Sequence, residues 1–231
     1  MRALELIEYG TVKHMAMRRS WISCAALAAM LLFGLSCAKE EAMAPETPPA
    51  RGERDRVMSE LHGTRKLLLD ALNTISDEKF KQALGENQPS PSEAVEALII
   101  RERNLLTAMG SSTLGAAPKG ASAENLSRVE RQKKAAEEAQ ALRAKVDGCV
   151  SSIGADGFRV IPNPENLGPA DLTQGFRAAR DANIAFARET NYNFLRRTIK
   201  DEKCGEMDLT TAMMLQSALT AKVAEMVKGA H

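Results

Sequence analysis

Ser90-Pro91-Ser92-Glu93-Ala94-Val95-Glu96-Ala97-Leu98 opens a helix on residues whose chemistry leaves little choice. The Ser90 hydroxyl can accept the Glu93 backbone N–H while the Glu93 carboxylate reaches back to the Ser90 N–H, the reciprocal arrangement of a capping box. Pro91, with its preset φ and no donor, suits the first helical position. Val95, Leu98, Glu102, Leu105 and Met109 then fall three or four apart, one face of a helix that Gly110 stops.

The same period recurs on both sides. Val57, Leu61, Thr64, Leu68, Leu72 and Ile75 predict a first helix from residue 53 to about Ile75, after which Ser76-Asp77-Glu78 reads as a fresh cap. Phe80 and Leu84 form a short turn before Gly85 and the Pro89-Ser90-Pro91 break. Residues 111–121 read as a small-residue loop. Residues 122–147 form a helical stretch whose stripe is mostly alanine, with Leu126, Val129, Leu142 and Val146, so its burial should be shallow. A loop over 148–169 leads to Leu172, Phe176, Ala179, Ala182 and Phe186. After a link at 200–205, Ala212, Leu215, Leu219, Val223 and Met226 mark the last helix. Four long amphipathic helices and an accessory one predict an all-α protein, a four-helix bundle with a long loop before its third core helix.

Composition agrees with a folded helical chain. Of 231 residues, 44% are apolar, 26% charged and only 4% aromatic. The 31 basic and 30 acidic residues give a net charge of +1, so no broad field attracts nucleic acid or an anionic membrane surface.

The N-terminal segment carries a different signal. Arg18-Arg19 precedes the uncharged stretch from Trp21 to Leu35, the basic and apolar regions of a signal peptide, too short for the roughly 20 apolar residues of a permanent span. Glu5, Glu8 and His14 do not suit such a region, which places the true start at Met15 or Met17. Phe33-Gly34-Leu35-Ser36-Cys37 resembles a bacterial lipobox, with Gly34 departing from the usual leucine. The resemblance implies that residues 1–36 are removed, that Cys37 is acylated, and that the protein is anchored to a bilayer in the cell envelope. Ala38 in place of aspartate then implies the outer membrane, facing the periplasm. Residues 37–52, with Pro45, Pro48 and Pro49, read as a flexible tether of roughly 20 Å, and 53–231 as the folded domain.

Cys24 leaves with the signal and Cys37 takes lipid, leaving Cys149 and Cys204, both read as lying in loops. Either they are bridged, closing a loop of about 55 residues worth roughly 4 kcal/mol on the entropic model, or they are free thiols at opposite ends of the bundle. No phosphate loop, nucleophile elbow, His-Glu-x-x-His or Cys-x-x-Cys motif is present. Arg131-Gln132-Lys133-Lys134 before Glu137-Glu138 reads as a solvated face, Met207, Met213, Met214 and Met226 as core filler, and His62 as solvated.

Three segments together resemble the DinB-like four-helix bundle superfamily of bacterial metal-binding and thiol-transferase proteins. They are Leu68 through Ile75-Ser76-Asp77-Glu78 to Leu98, Asn163-Pro164-Glu165-Asn166-Leu167 through Arg180, and Cys204-Gly205-Glu206-Met207-Asp208-Leu209. The resemblance implies a metal held by one histidine of the second helix and two of the last. Here Ala97, Leu219 and Val223 stand at those positions, and Pro89 replaces the family tryptophan. Hydrocarbon offers no lone pair, so no cofactor is expected. Glu102 corresponds to a carboxylate the family keeps near its metal. Buried, it would need a partner such as Arg180 or Lys222; an ordinary ion pair at the bundle edge is the expectation. With Asn183 and Gln216 it could also line a polar pocket. The resulting expectation is a non-catalytic envelope lipoprotein that binds a small ligand or a protein, with oligomerisation left open. The alternative is a divergent metal- or thiol-dependent transferase or hydrolase using a divalent metal.

Overall fold

The computed structural model describes residue 46 and residues 51–115, 127–159 and 167–230. The signal segment, Cys37, residues 163–166 and His231 lie outside the described residues. Those described belong to one compact unit, Ala44–His231.

Among the described residues six α-helices and three short strands follow one another: α1 (Arg51–Leu72), α2 (Asp77–Lys81), α3 (Pro91–Gly110), β1 (Thr113–Leu114), α4 (Arg128–Ile153), α5 (Pro169–Glu189), β2 (Arg197–Asp201), β3 (Gly205–Asp208) and α6 (Leu209–Gly229). The protein is thus mainly helical, as the periodicity predicts. None of the described helices is long and apolar enough to cross a membrane.

Local chemistry accounts for the helix starts. Ser90 and Glu93 make both halves of the capping box, with Pro91 in the first turn. Ser76 caps α2 and Asp208 caps α6 through the Thr211 N–H at 2.7 Å. The long helices α1, α3, α5 and α6 then bury their stripes against one another: α1 lies on α6 and α5, and α3 on α5 and α6. Val57, Leu61, Leu68, Val95, Leu98, Phe176, Leu219 and Val223 form the shared core.

Several expectations need correction. The first helix ends at Leu72, where the chain turns onto the Ser76 cap, although Ile75 is buried. The stretch expected at 122–147 is α4, shifted to Arg128–Ile153. A second capping box at Ser127 and Glu130 starts it, and Gly154, at φ 59°, ends it. Cys149 therefore lies in a helix rather than a loop. Burial of α4 is shallow, with only Val146 and Ile153 fully enclosed among its residues. In α5 the buried face runs through Leu172, Phe176 and Ala179 but continues with Arg180, Asn183, Ile184 and Ala187. Ala182 and Phe186 are only half-buried. Likewise Val227 rather than Met226 closes the α6 core.

To the helices the structure adds a small sheet that the helical period does not show. β1, β2 and β3 form a three-stranded antiparallel sheet in that order, with Thr198 opposite Asp208 and Asp201 opposite Gly205. The link expected at 200–205 is its hairpin turn. Asp201 Oδ1 accepts the N–H groups of Lys203 (2.9 Å) and Cys204 (3.0 Å), and Gly205 supplies the left-handed residue at φ 73°. A Cβ at Gly205 would meet nothing within 4 Å, so substitution there has a conformational cost alone. Gly205→Ala is expected to lower unfolding free energy by about 1–2 kcal/mol, and Gly205→Asn by less, in urea titration.

Candidate functional site

At the centre of the helical core sits a closed polar cluster. The α3 stripe carries Glu102 inward between Leu98 and Leu105. From α5, Arg180 and Asn183, one turn apart, reach the same point; α6 contributes Gln216 and Thr220, and α1 Thr64. Glu102 and Arg180 are both 0% exposed. Glu102 Oε1 accepts from Arg180 Nη2 at 2.6 Å and from Gln216 Nε2 at 3.1 Å. Oε2 accepts from Asn183 Nδ2 at 2.5 Å, and the same amide donates to the Glu102 carbonyl at 3.0 Å. Arg180 also donates to the Thr220 hydroxyl and, at 3.4 Å, to Thr64 Oγ1. Its Cζ stands 5.6 Å from the Phe176 ring centroid.

These contacts correct the expectation for Glu102. It does not reach the bundle edge; it is buried, and Arg180 is its partner. Lys222 is exposed, its ammonium 5.4 Å from the Phe158 ring centroid. Burial draws the Arg180 guanidinium below its ordinary pKa, opposed by Glu102 across the ion pair. The structure brings Glu102, Asn183 and Gln216 together as a hydrogen-bonded network, of which Gln216 alone also lines an open groove. Asn183 Oδ1, Arg180 Nε and Ser217 Oγ are buried without a partner. Thr220 was missed by sequence reasoning; its only signal is a position one turn after Gln216, where its hydroxyl donates back to the Gln216 carbonyl at 2.8 Å.

Chemically such a cluster is an anchor. Both carboxylate oxygens are engaged by donors from two facing helices, which leaves little capacity for a further cation or for proton transfer to a substrate. Ala97, Leu219 and Val223 are buried among core side chains. Among the described residues, no group of three or more His, Cys, Asp or Glu is placed to hold a metal ion.

No family model, curated protein or solved structure matches this chain. Function therefore rests on the cluster and on what lies above it.

Above the cluster is a groove of about 330 Å³ between α3, α6 and the β2–β3 hairpin. Leu105, Met207 and Leu215 form its apolar wall, Arg101, Asp201 and Lys203 its rim, and Gln216 lies in its lining. Arg101 and Asp201 close one side as an ion pair at 3.3 Å. Gln216 thus joins the groove to the buried carboxylate. A smaller cavity of about 160 Å³ adjoins the Cys149–Cys204 disulfide, whose Cα atoms are 5.4 Å apart. His62 is exposed on α1. Lys133–Glu137 and Lys134–Glu138 pair along α4 at 3.9 and 4.0 Å.

Proposed function

We propose that this chain is a lipid-anchored protein of the bacterial cell envelope, built on a DinB-like four-helix bundle that has exchanged metal chemistry for binding. Its bilayer partner is reached through acylated Cys37. A small ligand, or a short segment of an envelope protein, occupies the groove between α3, α6 and the β2–β3 hairpin. The observation that carries this reading is the engagement of Glu102. The carboxylate the resembling family keeps near its metal here accepts from Arg180, Asn183 and Gln216. Apolar Ala97, Leu219 and Val223 at the corresponding ligand positions are equally unsuited to a cation. The metal- or thiol-dependent alternative draws on the fold resemblance and on a buried Glu102; Glu102 is buried, but Arg180, Asn183 and Gln216 occupy its oxygens.

Elemental analysis of the detergent-purified protein after dialysis against zinc, manganese and nickel salts tests the reading. Substoichiometric metal, unchanged in Glu102→Gln, is expected. One equivalent of metal that disappears in Glu102→Gln overturns the non-catalytic reading.

A further inference from the structure

Glu46 is clamped onto the end of the domain where α1 begins and α5 ends. Its Oε2 accepts from Arg197 Nε at 2.9 Å and Nη2 at 2.8 Å, and its Oε1 accepts the Asn193 N–H at 2.6 Å. Arg197 Nη1 donates to the Ser112 carbonyl at 2.7 Å, and its Cζ lies 3.6 Å from the Tyr192 ring centroid. Tyr192 in turn meets Phe186 edge-on at 5.7 Å. The two charged side chains are only 16% and 17% exposed, so the pair is better shielded than a surface ion pair. Burial alone would raise the Glu46 pKa; the Arg197 hydrogen bonds and the Asn193 N–H outweigh it and hold the carboxyl below its ordinary range. Arg54 reinforces the same end, donating to the carbonyls of Arg188 (3.0 Å) and Thr190 (2.6 Å).

Beside this clamp the loop at 190–196 presents Leu195, 50% exposed, next to Arg196. Glu46 is the ninth residue after Cys37. Nine residues reach at most about 30 Å however they are arranged, against about 50 Å for the fourteen that lead to Arg51 were the clamp open. At a headgroup boundary an exposed leucine meets acyl chain while the guanidinium of the half-buried Arg196 beside it meets phosphate.

We propose that this end of the domain faces the membrane: the Glu46–Arg197 clamp holds the 190–196 loop at the phospholipid surface, with Leu195 entering the headgroup region and Arg196 meeting lipid phosphates. The inference rests on the reading of Cys37 as acylated. The opposite end offers a built-in comparison. Leu84 is 38% exposed and lies beside Gly229 and Ala230, at the far end of α6, roughly 30 Å away along that 21-residue helix.

The test uses the full-length protein purified from membranes, its Cys37 acylation checked by mass spectrometry. It is placed in vesicles of phosphatidylethanolamine and phosphatidylglycerol containing spin-labelled lipid. Leu195→Cys and Leu84→Cys variants carry an environment-sensitive fluorophore. Severalfold stronger quenching at position 195 than at 84 is expected. The difference should shrink when Glu46→Ala is added to protein that stays folded by circular dichroism. Equal quenching at the two positions in acylated protein overturns the orientation, and a difference indifferent to Glu46→Ala overturns the role of the clamp. Unmodified Cys37 overturns the anchor reading, and this inference with it.

Discussion

Glu102→Gln is expected to cost about 3–5 kcal/mol of unfolding free energy, whereas the double replacement Glu102→Gln with Arg180→Met should cost less than either single change. Taking charge from Glu102 leaves the Arg180 guanidinium in a site with no exposure and no counter-charge. Removing Arg180 alone strands the carboxylate in the same way. Removing both charges leaves groups that still find partners. The new amide oxygen can accept from Asn183 and Gln216, Thr220 keeps its bond to the Gln216 carbonyl, and Thr64 keeps its bond to the Glu60 carbonyl at 2.8 Å. Urea titrations of the four proteins, read as a double-mutant cycle, measure the coupling. Additive costs, with the double variant the least stable, would show that the pair is not the energetic unit the geometry describes. A domain stable by only 5–15 kcal/mol cannot absorb the single change lightly, so Glu102→Gln should also lower the yield of folded protein.

This cluster shows where a sequence stops being legible. Glu102 stood on the α3 stripe at the right phase, so its inward direction could be read from Leu98 and Leu105. Arg180, Asn183 and Gln216 could be named as its candidate partners. That all three engage it at once and hold it away from the bundle edge could not be read, because Asn183 and Gln216 lie 81 and 114 residues away in the chain. On α5 the apolar residues Ala182 and Phe186 drew the stripe one position off, since periodicity counts hydrocarbon and the true face continues through Arg180 and Asn183. Helix starts were readable where the cap is local: Ser90 and Glu93, three residues apart, need nothing else. The equivalent Ser127–Glu130 signal was there too, but the alanine-rich run before and after it has no sharp edge in hydropathy. The hairpin escaped for a related reason. Its strands are five and four residues long, and the Asp201 to Gly205 turn that makes them is chemically legible only once strands are sought. Short strands paired across a turn are set by backbone partners, and a helical period cannot reveal them.

Replacing both bridge cysteines, Cys149→Ala with Cys204→Ala, is expected to cost about 4 kcal/mol, because the bridge closes a loop of 55 residues and removes that freedom from the unfolded chain. For a domain of this size the melting temperature should fall by about 8–16 °C. The loss should not be uniform. α4 contributes only Val146 and Ile153 to the fully buried core, with Leu142 and Val150 packed more loosely against it. Its Lys133–Glu137 and Lys134–Glu138 pairs run along the helix and do not tie it to a neighbour. The disulfide fastens α4 to the β2–β3 turn, where Asp201 accepts the N–H groups of Lys203 and of Cys204 itself. Without it, α4 amides should exchange early in hydrogen–deuterium experiments, while α3, α5 and α6, locked through Glu102 and Arg180, keep their protection. Equal loss of protection across all helices would make the bridge part of the global folding unit. Unchanged exchange in α4 would mean that Val146 and Ile153 hold it unaided. The expected pattern is a rigid core of α1, α3, α5 and α6 with α4 stapled to its flank beside the 160 Å³ cavity that Lys145, Cys149 and Cys204 line, the central network being left untouched.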